Sequence, residues 1–386
     1  MTGQGVSLAE RGREALQRRD PVGALALLQL AEVEAPSVQL FLDKALALRM
    51  LSRPGDALGA LEAALVLEPA HFLALLSKGA TLEQLGRSKE AARAYEAAIA
   101  VAPPKDKLPP PIAAALDTAG SVVASAAARL SAHLESATRA VRARYPHEDL
   151  SRFDESLEIY AGVRKPFVQQ PLLFHFPQLP PIPFYDRSLF PWLQELEGGT
   201  EIIREERLAL QETAIDDFAP YIDFPPGVPV NQWGELNRSQ RWSSFFLWRG
   251  GERQDKACAL CPRTAALLES LPMAQQPGYA PTAMFSVLDA RTRIPPHTGS
   301  TNVRLVVHLP LVLPGPARFR VGNVTREWKM GEAWVFDDTI EHEAVNEADA
   351  PRTILIIDVW NPFLSEAERA LVSAMMVARK AYEQTA

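Results

Sequence analysis

Between Asp20 and Pro103 the chain places apolar residues at helical spacing, and it does so three times over. The stretches DPVGALALLQLAEVEAP (20 to 36), RPGDALGALEAALVLEP (53 to 69) and RSKEAARAYEAAIAVAP (87 to 103) align with Ala24, Ala57 and Ala91 at steps of 33 and 34. Ala31, Ala64 and Ala98 keep the same steps, as do Pro36, Pro69 and Pro103. Gly12, Ala45 and Gly79 repeat them one helix earlier. Small residues at a fixed place mark where paired helices touch, and a proline, lacking an N–H, stops each second helix. APPKDKLPPP (102 to 111) then reads as a stiff break. The alanine-rich stretch after it keeps helical periodicity and predicts one or two helices, suited to covering the stacking face that the last repeat would otherwise expose.

From about Pro166 the pattern changes. Prolines and aromatics become dense, with one helix predicted over Leu189 to Glu197. Beyond Ala283 the chain reads as successive short strands: MFSVLDA, NVRLVVHLPLVL, ARFRVGN, TREWKM, EAWVFDD, HEAVNE and TILIIDVWN. Turn signals at Pro314-Gly315, Gly322-Asn323 and Met330-Gly331 separate several of them. Closely spaced strands of this kind predict a β-sandwich or barrel. A final helix, LSEAERALVSAMMVARKAYEQ, carries an apolar stripe expected to pack on the sheet. The N-terminal period of about 34 residues resembles the tetratricopeptide repeat, and three units are near the minimum for a stable solenoid. The expected organisation is therefore multidomain α + β. Residues 1–103 form the all-α solenoid, 104–165 a proline-rich linker with capping helices, and 166–386 the β-domain.

Composition narrows the function classes. Apolar residues make up 47% of the 386 and charged residues 23%, which is ordinary for globular domains. A formal net charge of −7 gives no sign of the basic face that nucleic acid requires. The N-terminal MTGQGVSLAERGREALQRRD has neither signal-peptide nor transit-peptide character, and no run of eighteen apolar residues occurs. A cytoplasmic protein without a membrane span is the expectation. Cys258 and Cys261 in KACALCPRT could be half a zinc site or a redox couple, but no second pair exists to complete four ligands. They are read as reduced, structural thiols.

Three of the seven histidines, His297, His308 and His342, fall within 46 residues of the β-domain. His297 follows Pro295-Pro296, and His342 follows FDDTIE at a strand boundary. Strand ends distant in sequence can meet at one mouth of a sandwich, where two imidazoles would suit Fe(II) and leave positions open for substrate and oxidant. The alternative for His297 and His308 is one loop histidine and one buried, hydrogen-bonded histidine, and spacing alone leaves both readings open. His71 and His175 read as structural, and His133 and His147 as surface residues.

Five segments in order, FYDRSLFPWLQELE, RWSSFFLWRGGERQDKACALCPRTAALLESLP, MFSVLDARTRIPPHTGSTNVRLVVHLPLVLP, WVFDDTIEHEAVN and RTILIIDVWNP, carry a further resemblance. From about Pro181 to Leu371 the chain resembles the aspartyl/asparaginyl β-hydroxylase family of Fe(II)- and 2-oxoglutarate-dependent oxygenases. The resemblance implies a double-stranded β-helix (jelly-roll) fold, which agrees with the strand pattern. It implies Fe(II) bound by His297 and His342, with O2 and 2-oxoglutarate as the other reactants. Gly299 stands where most related oxygenases have a third, carboxylate ligand, as it does in this family. Asp337 and Asp338 are candidates to orient a water or an imidazole N–H. Arg352 matches the arginine that holds the distal carboxylate of 2-oxoglutarate, Ser286 its supporting serine, and His308 a histidine that touches the co-substrate without binding iron. Arg304 matches an arginine on the substrate side. Val306 departs from the animal enzymes, which have a second arginine there, and this puts their aspartate/asparagine preference in question. Glu235 and Arg238 in WGELNRSQRW are further candidate substrate contacts, while Trp242, Trp248 and Trp360 read as core aromatics. A peptide or protein substrate, or a partner engaged through the repeats, is the leading expectation. A lipid-linked acyl chain, a small metabolite, a metal-binding jelly roll without 2-oxoglutarate, or a non-catalytic scaffold are the alternatives.

Overall fold

The computed structural model describes residues 7–384. Its contacts divide the chain into two compact units, one ending at Lys165 and the other beginning at Pro166.

The first unit opens with six helices in antiparallel pairs: α1 (Leu8–Gln17) with α2 (Pro21–Glu34), α3 (Val38–Met50) with α4 (Pro54–Leu67), and α5 (Phe72–Gln84) with α6 (Ser88–Ala100). The starts are chemically marked. Ser7 and Glu10 form a reciprocal capping box, Asp20 and Ser37 cap α2 and α3, and His71 Nδ1 accepts the Ala74 N–H of α5 at 3.2 Å. His71 is thus structural, as expected. Ala24, Ala57 and Ala91 are fully buried, so each repeat brings its second helix against the first without a side chain between them. At Gly79 a Cβ would overlap the ring of Tyr95, whose hydroxyl donates to Glu83 at 2.6 Å. The 33-residue helix α7 (Pro110–Arg142) packs Ile112, Ala115, Ala119, Val122 and Val123 into the core of the third repeat. α8 (Ser151–Ala161) packs back on α7 and ends at Gly162 in the left-handed region, φ 80°. Among the described helices α7 is long and apolar enough to cross a membrane by length and composition alone, and its apolar edge is used within the unit.

The second unit is a β-sandwich with a helical cover. α9 (Leu193–Gly198) and α10 (Thr200–Thr213) precede the sheet. The helix expected from Leu189 starts four residues later, after a 3-10 turn at Arg187–Leu189 and the break at Pro191, while α10 was not anticipated. The strands are β1 (Ala219–Pro220), β2 (Trp242–Arg249), β3 (Glu252–Arg253), β4 (Ala283–Leu288), β5 (Thr292–His297), β6 (Arg304–Val312), β7 (Ala317–Val321), β8 (Val324–Glu327), β9 (Trp334–Phe336), β10 (His342–Asn346) and β11 (Arg352–Trp360). All ladders are antiparallel. The major sheet runs β1-β2-β4-β11-β6-β9 with β3 beside β2, and the minor sheet runs β5-β10-β7-β8.

Period-two alternation assigns the faces of the major sheet. Phe245, Leu247, Phe285, Leu305, Val307, Leu309, Leu355 and Ile357 point into a core shared with α9, α10, α11 (Asp255–Leu260) and α12 (Pro262–Ser270). Their alternates Trp242, Ser286, Arg304, His308, Arg352 and Ile354 point the other way, toward the minor sheet. This is why the central strands read as almost continuously apolar: both faces are covered. Cys258 and Cys261 are free thiols buried in the helix-side core. The terminal helix α13 (Glu366–Gln384) buries Val372 and Met376 against Leu179 and Val303, beside the start of β6, and not across a sheet face.

Gly79→Val is expected to lower the stability of the repeat unit by about 1–3 kcal/mol, because the Tyr95 ring has nowhere to move. Gly59→Ala, in an exposed turn of α4 where a Cβ meets no atom within 4 Å, is expected to raise it by roughly 0.5–1 kcal/mol. Thermal unfolding of the two variants checks both signs.

Candidate active site

Between the sheets lies a cavity of about 440 Å³. His297 ends β5 and His342 begins β10, and the two residues are register partners across that ladder. Their rings lie 4.1 Å apart, centroid to centroid. Each ring is anchored by its own chain: His297 Nδ1 is 2.8 Å from the Pro295 carbonyl and His342 Nδ1 is 3.0 Å from that of Ile340. A carbonyl can only accept, so both Nδ1 atoms carry the proton and both Nε2 lone pairs are left free. Burial lowers the pKa of both imidazoles, that of His342 to well below the usual histidine value. Neutral rings with fixed tautomers are the form in which histidine binds metals.

The third position is settled by a glycine and an aspartate. A Cβ on Gly299 would overlap the carboxylate of Asp338, and the Gly299 N–H donates to the Asp338 carbonyl at 2.6 Å. Asp338 is half-buried on the cavity wall, and desolvation, reinforced by Asp337 and Asp358, raises its pKa well above the usual carboxyl range. Asp337 has a different job. Its carboxylate accepts from Gln169 Nε2 at 2.6 Å and from the Thr339 N–H at 2.9 Å, fixing the turn before β10. Among the described residues no group of three or more His, Cys, Asp or Glu is arranged to hold a metal, so a metal here would rest on the two histidines.

Deeper in, Arg352 is 1% exposed and has no carboxylate partner among the described residues. Among the described residues its one hydrogen bond is long, 3.4 Å from Nη1 to the Ser286 carbonyl, and Nε has no acceptor. Burial alone brings its pKa down to about 9. The guanidinium lies over the ring of Trp328, 4.8 Å from its centroid. Ser286 Oγ accepts the Trp242 Nε1–H at 3.1 Å, which leaves its own proton free to donate. His308 is buried among Phe319, Phe336 and Trp328 with Nδ1 unpartnered, and desolvation, with the Arg352 charge, drives its pKa well below the usual value. The Ser244 hydroxyl and the Trp328 Nε1–H are also buried without partners. A buried cation on the cavity wall without a carboxylate partner among the described residues is what an anion-binding floor requires.

The structure thus brings together His297, His342, Ser286, His308, Arg352 and Arg304, all on the cavity wall. It does not bring in Glu235 and Arg238. Arg238 sits in a left-handed turn (φ 56°) and pairs with Asp223 at 2.9 Å, while Glu235 is exposed and 3.6 Å from Arg241. Their loop turns both charges to solvent. Sequence reasoning missed Trp328 and Ser244 and took Trp242 for a core aromatic only. Alternation along WSSFFLW, once β2 is seen as a strand, puts Trp242 and Ser244 on the Ser286 side. His175, read as structural, is exposed.

The jelly roll thus sets two inward histidines and a buried arginine on one cavity wall, and stretches of the chain are similar to known proteins. Residues 199–362 match the profile of the aspartyl/asparaginyl beta-hydroxylase family. Human aspartyl/asparaginyl beta-hydroxylase is 35% identical over 185 residues, 47% of this chain and 23% of that protein. The ornithine lipid ester-linked acyl 2-hydroxylase of Rhizobium tropici is 33% identical over 190 residues, 48% of this chain and 63% of that protein. Human aspartate beta-hydroxylase domain-containing protein 2 is 32% identical over 223 residues, 55% of this chain and 58% of that protein. The chain therefore spans less than two thirds of each of these relatives. Among solved structures, the Sgt2 TPR domain from Aspergillus fumigatus covers 30% of this chain and 75% of its own at 22% identity and a TM-score of 0.27. A Cupin_2 domain from Enterobacter cloacae covers 32% and 99% at 10% identity and a TM-score of 0.22. Over residues 199–362 the C-terminal unit is thus similar to the aspartyl/asparaginyl β-hydroxylase family.

Gly299→Ala is expected to destabilise the unit by about 1–3 kcal/mol by pushing on Asp338. Asp338→Ala in the same chain should recover much of that loss, a coupling that denaturant unfolding of the double-mutant cycle measures. Additive losses would place the Asp338 carboxylate elsewhere.

Proposed function

We propose that the C-terminal unit is an Fe(II)- and 2-oxoglutarate-dependent dioxygenase that hydroxylates a C–H bond, with the β-carbon of an Asp, Asn or similar residue of a peptide or protein as the target. The observation that carries this reading is Arg352, a buried guanidinium without a protein anion, below two neutral imidazoles whose Nε2 lone pairs are free. A dianionic acid with a carboxylate at each end fits that pairing of sites, one end at the metal and the other on the guanidinium. The balanced reaction is R–H + 2-oxoglutarate + O2 → R–OH + succinate + CO2.

His297 and His342 would hold the iron, which when bound supplies oxidative decarboxylation coupled to oxygen insertion. The chain's own residues do the positioning. Arg352 and the Ser286 hydroxyl grip the distal carboxylate, and Trp242 keeps that hydroxyl turned as a donor. His308, neutral and walled by Phe319 and Phe336, contacts the co-substrate without adding a charge. The aromatic lining, with Trp233 5.0 Å from the His297 ring, keeps water from the reacting centre. The repeat unit is assigned the recruitment of a peptide or protein, for which stacked helix pairs offer an extended surface. A lipid-linked acyl chain is the second reading, favoured by Val306 and Leu172 in the lining and by the activity named for the Rhizobium relative.

Succinate release from 2-oxoglutarate should require Fe(II), and His297→Ala or His342→Ala should abolish it. Arg352→Met is expected to weaken 2-oxoglutarate binding at least roughly thirtyfold, the lower range for breaking a buried charge pair. The same variant should leave the ligand-free protein as stable as the wild type or more so, since an unpaired charge has been replaced by an apolar chain. Calorimetry and thermal unfolding check the two halves separately. An Arg352→Met protein that binds the acid normally contradicts the reading.

A further inference from the structure

The cavity wall carries four charged side chains besides histidine: Arg304, Arg352, Asp338 and Asp358. In the reading proposed above, on which this inference rests, Arg352 is taken by the co-substrate. Arg304 is then the guanidinium left to face a substrate, and its charge is already answered. Its Nη1 lies 3.4 Å from Asp358 Oδ2 and donates to the Tyr279 carbonyl at 2.9 Å. Asp358 in turn accepts the Thr282 N–H at 2.9 Å, and both members of the pair are largely buried.

The register of β6 against β11 shows how this pair is arranged. Asp358 stands directly opposite Val306, and Arg304 opposite Trp360. Opposed residues have Cβ atoms about 5 Å apart, so position 306 is the natural place for a cation beside Asp358, and it holds a valine. Arg304 reaches Asp358 only on the diagonal. Cations on neighbouring strands are committed elsewhere: Arg293 and Arg320 to Glu343, Arg318 to Glu347. Arg249 lies exposed over the Phe246 ring, outside the lining.

We infer that the Arg304–Asp358 pair reads a neutral primary carboxamide, so that an asparagine-like side chain is used in preference to an aspartate. An amide carbonyl can accept from the Arg304 guanidinium on the cavity wall, while its NH2 donates to the Asp358 carboxylate. A carboxylate in the same place has no proton to give Asp358 and sets two like charges together in a water-poor cavity. A plain aliphatic chain would leave both polar groups unmet.

The test uses the full-length protein with two probes, asparagine and aspartate blocked as N-acetyl, C-methylamide derivatives. Binding of 2-oxoglutarate with Mn(II), read as a rise in melting temperature, is established first; its absence would overturn the dioxygenase reading itself. With that rise in place, succinate release is expected to favour the asparagine probe by at least about tenfold in kcat/KM, as for sites that reject a mispaired polar group. Asp358→Asn, which keeps an acceptor for Thr282, should bring the two probes close together or reverse their order. Val306→Arg should do the same by placing a cation opposite Asp358. Equal or better use of the aspartate probe by the wild type, a ratio unmoved in both variants, or no response to either probe at millimolar concentration would overturn the inference and leave the co-substrate assignment standing.

Discussion

Arg352 at 1% exposure sets the terms for the C-terminal unit, since a buried cation without a partner is among the most costly groups a fold can hold. It is tolerated because the surroundings do what little they can. Trp328 offers the face of its ring, and the Ser286 carbonyl accepts one long hydrogen bond. Nothing else answers the charge, and burial alone brings its pKa down to about 9. Natural structures keep such a group where an anion will complete it, and Arg352 lies on the cavity wall where one could reach it. The major sheet makes this possible by burying both of its faces. One set of alternating residues builds the helix-side core, and that rigid layer frees the other set to carry polar chemistry in a closed space.

The two histidines depend on a second constraint, the pairing of β5 with β10. Register opposes His297 to His342, and a bulge follows directly after His342. Main-chain carbonyls two residues back hold each ring, so tautomer and orientation are properties of the strand ends and need no outside support. A one-residue slip would turn every inward side chain outward. The collision of a Gly299 Cβ with Asp338 shows how tightly the space beside the histidines is shared.

Much of this was legible in the sequence, and the reasons differ by element. The repeats were readable because a helical solenoid writes its contacts at a fixed period; Ala24, Ala57 and Ala91 are fully buried where the period placed them. Most strands after Ala283 were readable because turn residues punctuate them. Strand β2 was hidden, since a strand covered on both faces shows no alternation of apolar and polar, and WSSFFLW resembles a buried run of either kind. Helix α10 was missed beside a proline-rich approach that obscured where the helix began. Of the site, the residues carried by motif resemblance fall on one cavity wall. Glu235 and Arg238, chosen from a loosely matching loop, do not, because nothing in a loop's composition says which way it faces. Trp328 and Ser244 were missed because their role lies in having no partner, which only the packed structure reveals.

The most direct measurement is the visible charge-transfer absorption of the protein with Fe(II) and 2-oxoglutarate under anaerobic conditions, compared with His342→Ala. The expected result is a band in the wild type, formed only when both are present, and no band in the variant. Wild-type protein that binds iron yet gives no band with 2-oxoglutarate would contradict the account, because the acid would then not be reaching a metal held by His297 and His342.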